Sequence, residues 1–278
     1  MKILIAKTAG FCFGVKRAVD LAFEHSQGSG TYTYGPIIHN ELVTNKLEEK
    51  GVVAIDTLNK NDINKIIIRS HGVSPEVYKT GEERGIDIVD ATCPYVRKIH
   101  KYVSKYYNEG YKIIIAGDKV HPEIIGINGW AENECIIVKN SRELEEITLD
   151  KYKKYLLVAQ TTYKKEIVND ILELLNSRGI EVKYINTICS ATRDRQEEAK
   201  AIAVEADCMI VIGSKKSSNS LKLFEISKDN CKKSYFISEA KELSVDMFKG
   251  IETVGITAGA STPKEVIEET IKFVKNLQ

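Results

Sequence analysis

No Cys-x-x-Cys pair occurs in this chain of 278 residues, and its six cysteines are too sparse for a disulfide scaffold. The short-spaced cysteine pairs that usually mark structural zinc are therefore missing. So is a basic excess: the formal net charge is +1, which argues against the electrostatic footprint of a nucleic-acid binder. Lys151, Lys153 and Lys154 read as a solvated loop. No apolar run approaches membrane-spanning length, and the opening strand KILIA is too short for the apolar region of a signal peptide. These absences predict a cytosolic protein with reduced thiols. No GxxxxGK[ST] or GxGxxG element offers a nucleotide-phosphate loop. No low-complexity linker interrupts the chain, so boundaries between subdomains should be tight turns.

What is present is a threefold repeat. Cys12 in AGFCFGVKRAVDLAF, Cys93 in DATCPYVRKIHKYV and Cys189 in NTICSATRDRQEEAKAIAV each close a short loop and open a helical pattern. A basic residue follows four places on in each: Lys16, Arg97 and Arg193. An apolar strand then ends in glycine 23, 24 and 24 residues after the cysteine, at Gly35, Gly117 and Gly213. Four residues past each glycine stands a polar group: His39, His121 and Ser217. A second apolar strand in each repeat (KIIIRS, YLLVAQ, TVGITAG) ends at His71, at Thr161 and Thr162, and at Ser261, and leads into a helix.

A third strand follows the first two of these helices and leads to the next cysteine, in IDIVDATC and VKYINTIC. The last helix, 263–277, has no strand after it, whereas KILIA has no helix before it and leads to Cys12. KILIA is thus expected to complete the third unit. The strand–helix alternation predicts an α/β fold of mostly parallel sheets joined by crossover helices. The expected organisation is three pseudo-threefold-related subdomains around a central cavity: 13–92, 93–186, and 187–278 with the N-terminal strand 1–12. Ligands of such sheets bind beyond the carboxyl ends of the strands, where every polar residue named above falls.

The three module cysteines are 81 and 96 residues apart, so only tertiary folding can bring them together. Three thiolates suit an iron–sulfur cluster that leaves one iron without a protein ligand. An unplaced cysteine is ordinarily buried and inert; the repeated placement at strand-to-helix turns argues otherwise for Cys12, Cys93 and Cys189. Cys135 and Cys208 read as core cysteines inside strands, and Cys231 as structural or surface. His39, His71 and His121, with SSNS at 217–220 and AGAST at 258–262, form a set of donors and small turns suited to a phosphate or diphosphate. His25 and His100 lie in helical patterns and receive no role. Glu123, beside His121, is either a proton donor whose pKa burial raises or simply an acid at a helix N-terminus.

In order along nearly the whole chain, GFCFGVKRA, IIHN, RSHGVS, DATCPYV, HPEIIG, QTT, ICSATRDRQ, GSKKSSNS and TAGAS resemble the LytB/IspH family. The resemblance implies a trefoil of three α/β subdomains and a 4-hydroxy-3-methylbut-2-enyl diphosphate reductase, the last step of the methylerythritol phosphate route to isoprenoids. The allylic hydroxyl is removed with two electrons and two protons, giving isopentenyl and dimethylallyl diphosphate and water. It further implies one [4Fe–4S] cluster per chain on Cys12, Cys93 and Cys189. The diphosphate pocket would comprise His39, His71, His121, Ser217, Ser218, Asn219 and Ser261. Glu123 would be the proton donor, Thr161 its neighbour at the substrate hydroxyl, and Thr162 a further substrate contact. Electrons would come from a protein such as ferredoxin or flavodoxin. Two rivals remain: a non-redox phosphate-binding transferase with inert cysteines, and a metal-stabilised binding module without catalysis. Neither explains both the threefold cysteines and the acid at Glu123.

Overall fold

The computed structural model describes residues 1–277. The chain begins with β1 (Lys2–Ile5) and α1 (Phe13–Glu24). There follow β2 (Thr31–Tyr34), α2 (Glu41–Glu48), β3 (Val53–Ile55), β4 (Lys65–Ile68), α3 (Pro75–Glu83) and β5 (Asp87–Asp90). Next come α4 (Pro94–Asn108), β6 (Lys112–Ala116), α5 (Pro122–Gly129), β7 (Ile136–Val138), α6 (Ser141–Glu145), β8 (Tyr155–Ala159), α7 (Lys165–Ser177) and β9 (Val182–Tyr184). The last stretch holds α8 (Ser190–Glu205), β10 (Cys208–Ile212), α9 (Ser218–Asn230), β11 (Ser234–Ile237), β12 (Thr253–Ala258) and α10 (Lys264–Lys275).

The strands form three four-stranded sheets, ordered β5-β4-β2-β3, β9-β8-β6-β7 and β1-β12-β10-β11, and every pairing is parallel. The order is the same in all three, with β1 in the place that β5 and β9 take in the others. This is an α/β architecture of three like parallel sheets. The chain divides into two compact units: Met1–Lys16, Ile38–Asn45 and Ser190–Gln278 in the first, Arg17–Ile37 and Lys46–Cys189 in the second. The first holds the sheet built on β10 and β12; the second holds the other two.

The central strands β8 and β10 are apolar and buried along their whole length because crossover helices cover both faces. In the sheet built on β6 and β8, Ile114, Ala116, Leu157 and Ala159 pack toward α6 and α7 with Val168 and Ile171. Ile113, Ile115, Leu156 and Val158 pack on the other face with Ile99, Val103, Ile124 and Ile127 of α4 and α5. Burying each such isoleucine or leucine contributes roughly 1.5–3 kcal/mol, so this core fixes α4 and α5, and with them Cys93 and Glu123. The edge strands β3 and β11 escape the sequence reading. They are short and only partly buried, so the continuous apolar run that betrays a central strand is absent. Cys135, expected within a strand, lies one residue before β7, half-buried against the α4–α5 side of the core. Among the described residues no helix is long and apolar enough to cross a membrane.

Candidate active site

One hydrogen-bond pattern repeats at the carboxyl end of each sheet. The glycine ending the first strand of the repeat donates its N–H to the neighbouring edge strand: Gly35 to Ile55, Gly117 to Val138 and Gly213 to Ile237, at 2.8, 2.9 and 2.8 Å. The backbone N–H of each module cysteine donates to the carbonyl two residues past β4, β8 or β12: Cys93 to Ser70 at 2.9 Å, Cys189 to Thr161 at 3.0 Å, Cys12 to Ala260 at 3.3 Å. Each cysteine is thereby fixed to the turn that carries His71, Thr161 or Ser261. A shared side-chain device supports two of these loops. Asp90 accepts from the N–H of Thr92 at 2.9 Å and Asn186 from that of Ile188 at 3.2 Å, an Asx turn just before Cys93 and before Cys189.

In the second unit the expected site residues form one connected series. The His71 and His121 rings meet edge to face with centroids 5.3 Å apart. His121 caps α5, its Nδ1 accepting the N–H of Glu123 at 3.2 Å, so Nε2 carries the proton and can donate to an anion. Glu123 is 2 % exposed. Its Oε1 accepts the N–H of Thr161 and its Oε2 accepts the Thr161 hydroxyl, both at 2.6 Å. Burial pushes the carboxyl above the ordinary range, opposed only in part by the two bonds from Thr161. The Thr161 carbonyl in turn holds the amide of Cys189. Thr162 stands where His71 and Ser261 stand in their repeats, but its hydroxyl accepts from Gln160 Nε2 at 3.0 Å, which braces the loop.

In the first unit, the Ser261 hydroxyl donates to the carbonyl of His39 at 3.5 Å. Ser217 caps α9, accepting the N–H of Ser220 at 3.4 Å, and Ser218 and Asn219 form the first turn. That helix N-terminus favours an anion. Asn219 is 4 % exposed, and neither its Oδ1 nor its Nδ2 has a hydrogen-bond partner among the described residues. A buried amide without partners costs free energy unless something binds it, so it fits a polyanionic ligand. A cavity of about 400 Å³ opens beside these loops, lined by Asn40, Glu41, Gly213, Ser214, Lys216 and Thr262 among others. The exposed Lys216–Glu41 ion pair, 2.8 Å long, joins the loop before Ser217 to the start of α2.

None of the six cysteines is in a disulfide. Burial pushes the thiols of Cys135 and Cys208 up to about 12, which keeps them protonated and poor metal ligands. Cys12, Cys93 and Cys189 are half-buried and stand directly before α1, α4 and α8. Three thiols of this kind are the donor chemistry that an iron–sulfur group takes.

The sequence reading missed the supports beneath these loops. Arg17 donates to the carbonyls of Thr92 and Asp90, both at 3.3 Å, ahead of Cys93. His100, given no role, is 2 % exposed, stacks on Trp130 at 5.1 Å and underlies Gly72. A Cβ at Gly72, where φ is +72°, would lie 2.5 Å from His100 Cε1. Arg195 and Glu198 hold the loop before Cys12. A charged or imidazole group on an otherwise apolar helix face was the available signal.

Fold and site together define an α/β protein of three like parallel sheets, with cysteine-tipped loops and a serine-capped helix start that carries a buried, unpartnered amide. A family profile described as LytB protein matches residues 3–275. Two curated relatives bear the name 4-hydroxy-3-methylbut-2-enyl diphosphate reductase. That of Clostridioides difficile is 49% identical over 100% of both chains. That of Caldanaerobacter subterraneus subsp. tengcongensis is 48% identical over 100% of this chain and 98% of its own. A solved structure of the E-1-hydroxy-2-methyl-but-2-enyl-4-diphosphate reductase from Plasmodium falciparum superposes with TM-score 0.92 at 31% identity, covering 99% of this chain and 88% of the other. A second, of (E)-4-hydroxy-3-methyl-but-2-enyl diphosphate reductase, described as the terminal enzyme of the non-mevalonate pathway, gives 0.72 at 41% identity over 99% and 100%. The chain belongs to the LytB family.

Proposed function

We propose that this chain is a 4-hydroxy-3-methylbut-2-enyl diphosphate reductase, an iron–sulfur oxidoreductase of isoprenoid biosynthesis. It removes the allylic hydroxyl with two electrons and two protons, forming isopentenyl and dimethylallyl diphosphate and water. Each sheet with its helices serves as one of three repeats, divided at 13–92, 93–186, and 187–278 with 1–12. Cys12, Cys93 and Cys189 would hold one [4Fe–4S] cluster. When bound, that group supplies electrons and an iron without a protein ligand that can polarise an oxygen.

The chain's own residues supply the rest. His39, His71, His121, Ser217, Ser218, Asn219 and Ser261 bind the diphosphate through imidazole, hydroxyl and amide donors. Hydroxide is a poor leaving group, so the departing oxygen needs a proton. In its neutral form Glu123 donates from Oε2–H to Thr161 Oγ1, which frees the Thr161 hydroxyl proton to orient and protonate the departing substrate oxygen while Glu123 refills Thr161. Thr162 braces the turn and contacts substrate through it. Electrons arrive from a ferredoxin- or flavodoxin-like partner in the cytoplasm.

The observation that carries this reading is the series Glu123–Thr161–Cys189. A buried carboxyl biased toward its neutral form is bonded to a threonine whose carbonyl anchors a cysteine. The test is anaerobic purification, iron and sulfide analysis, and turnover of the hydroxylated diphosphate with a chemical reductant. A brown protein releasing both isomeric diphosphates supports the reading. An iron-free protein with transferase activity, or an iron-loaded one inert to reductant and substrate, overturns it.

A further inference from the structure

The loop that delivers Cys12 runs from the end of β1 to the start of α1, and little of it is held by sheet or helix bonds of its own. Ala6 N–H reaches Ile256 O at 2.9 Å, as the ladder ends, and Ala9 N–H closes a turn on Ala6 O at 3.2 Å. Cys12 N–H donates to Ala260 O at 3.3 Å, and the other anchors come from the side chains of α8. Glu198 accepts the N–H of Lys7 at 2.8 Å on Oε1, and the N–H and hydroxyl of Thr8 at 2.9 and 2.5 Å on Oε2. Partial burial works against the charge of Glu198. The bonds from Thr8 and Lys7 prevail and hold its carboxyl below the usual range. One turn earlier, the 5 % exposed Arg195 donates to Gly10 O at 2.8 Å and, within its own helix, to Ala191 O at 2.9 Å. Gly10 has φ +99°, and a Cβ there would lie 3.1 Å from Ile267. The chain direction into Cys12 is therefore set by an unusual backbone whose carbonyl one guanidinium fixes.

We propose that Arg195 and Glu198 are positioning residues for Cys12: side chains on one helix that together hold the backbone on which this thiol is presented to the iron–sulfur group. Three bonds to one carboxylate and one to the guanidinium are charge-assisted, the stronger kind. They act on the backbone and hydroxyl of the loop, at Lys7, Thr8 and Gly10. The inference rests on the assignment of Cys12 as a ligand, and its test separates the two.

In the full chain stripped of iron, the rate of iodoacetamide alkylation is read at each cysteine by peptide mapping. Glu198→Ala should raise the rate at Cys12 roughly tenfold, the scale of losing a charge-assisted hold. Glu198→Gln, which can still accept, should recover part of the difference. Cys93 and Cys189 should stay within about a factor of two of the parent, and buried Cys208 should stay unreactive. Arg195→Lys should act in the same direction as Glu198→Ala, and because Glu198 is only half-buried the proposal does not depend on an arginine variant folding. In the reconstituted protein, Glu198→Ala should also release iron to a chelator about tenfold faster than the parent. An unchanged Cys12 rate in folded Glu198→Ala overturns the proposal. So does a parallel rise at every thiol, Cys208 included, which marks general loosening. If Cys12→Ser loads iron as fully as the parent, the ligand assignment fails instead, whatever the alkylation pattern.

Discussion

Glu123 holds Thr161 with both carboxylate oxygens, one on the backbone N–H and one on the hydroxyl, each at 2.6 Å. Two donors on one buried carboxylate stabilise its charge, yet burial outweighs them and the carboxyl still titrates above its ordinary range. The neutral form is therefore favoured more than in a free carboxyl, with Thr161 Oγ1 directly beside it.

Glu123→Gln keeps the shape and the bond to Thr161 while removing the acid. It should retain the cluster and bind the diphosphate, with turnover lowered by roughly 100-fold or more, the scale of a positioned general acid. Because the active form is protonated, turnover in the parent should fall as pH rises through the raised pKa of Glu123, and that limb should be missing in the variant. Near-normal turnover at matched iron content would remove Glu123 as the donor.

The cysteines divide by environment. Changing Cys12, Cys93 or Cys189 to Ser should abolish activity and most iron binding, since each comes from a separate loop and none can substitute for another. Changing Cys135, Cys208 or Cys231 to Ser should leave the chromophore, because burial keeps the first two as neutral thiols and Cys231 donates to the carbonyl of Ala206 in the core. Visible absorbance and iron content check this. Bleaching by Cys208→Ser with Cys93→Ser still coloured would overturn the assignment.

The sequence shows these cysteines because it repeats: a strand, a loop, a thiol and a helix recur with nearly constant spacing, and periodic apolar runs such as KIIIAG and CMIVIG can only be central strands. Edge strands β3 and β11 stay hidden because they are short and only partly buried, so neither period nor composition marks them. Arg195 stays hidden for a different reason. Its partner is the carbonyl of Gly10, 185 residues away in sequence, and a backbone acceptor leaves no trace in residue type. Thr161 and Thr162 look alike in the motif QTT; only the direction of their hydroxyls, one to Glu123 and one from Gln160, tells them apart.

His100 makes stability depend on acid. Burial lowers its pKa to about 4; Asp90 raises it and Arg97 lowers it by smaller amounts. Between about pH 6.5 and 4 the unfolded chain binds a proton there that the folded chain refuses, so stability is full above this window and is lost as pH falls through it, by at most about 3 kcal/mol. His100→Phe keeps the stack on Trp130 and removes the titration. Urea melts from pH 7 to pH 4 should show a shallower acid loss in the variant. An identical slope would mean that His100 is not the group responsible.

The role proposed for Asn219 as an anion contact is open to test, because its carboxamide is buried with no hydrogen-bond partner among the described residues. Such a group costs about 1–3 kcal/mol until a ligand meets it. Asn219→Ala should therefore leave the melting temperature of the ligand-free protein nearly unchanged, the relief from an unmatched amide offsetting the small cavity. Substrate KM should rise roughly tenfold or more with iron content intact. Asn219→Asp should be worse at neutral pH, since it sets a negative charge against the diphosphate at the N-terminus of α9. Inorganic diphosphate provides a readout free of turnover: at saturating concentration it should raise the melting temperature of the parent by several degrees, that of Asn219→Ala by much less, and that of Asn219→Asp not at all. Equal stabilisation of all three proteins would move the anion site away from α9 and leave Asn219 as a packing residue.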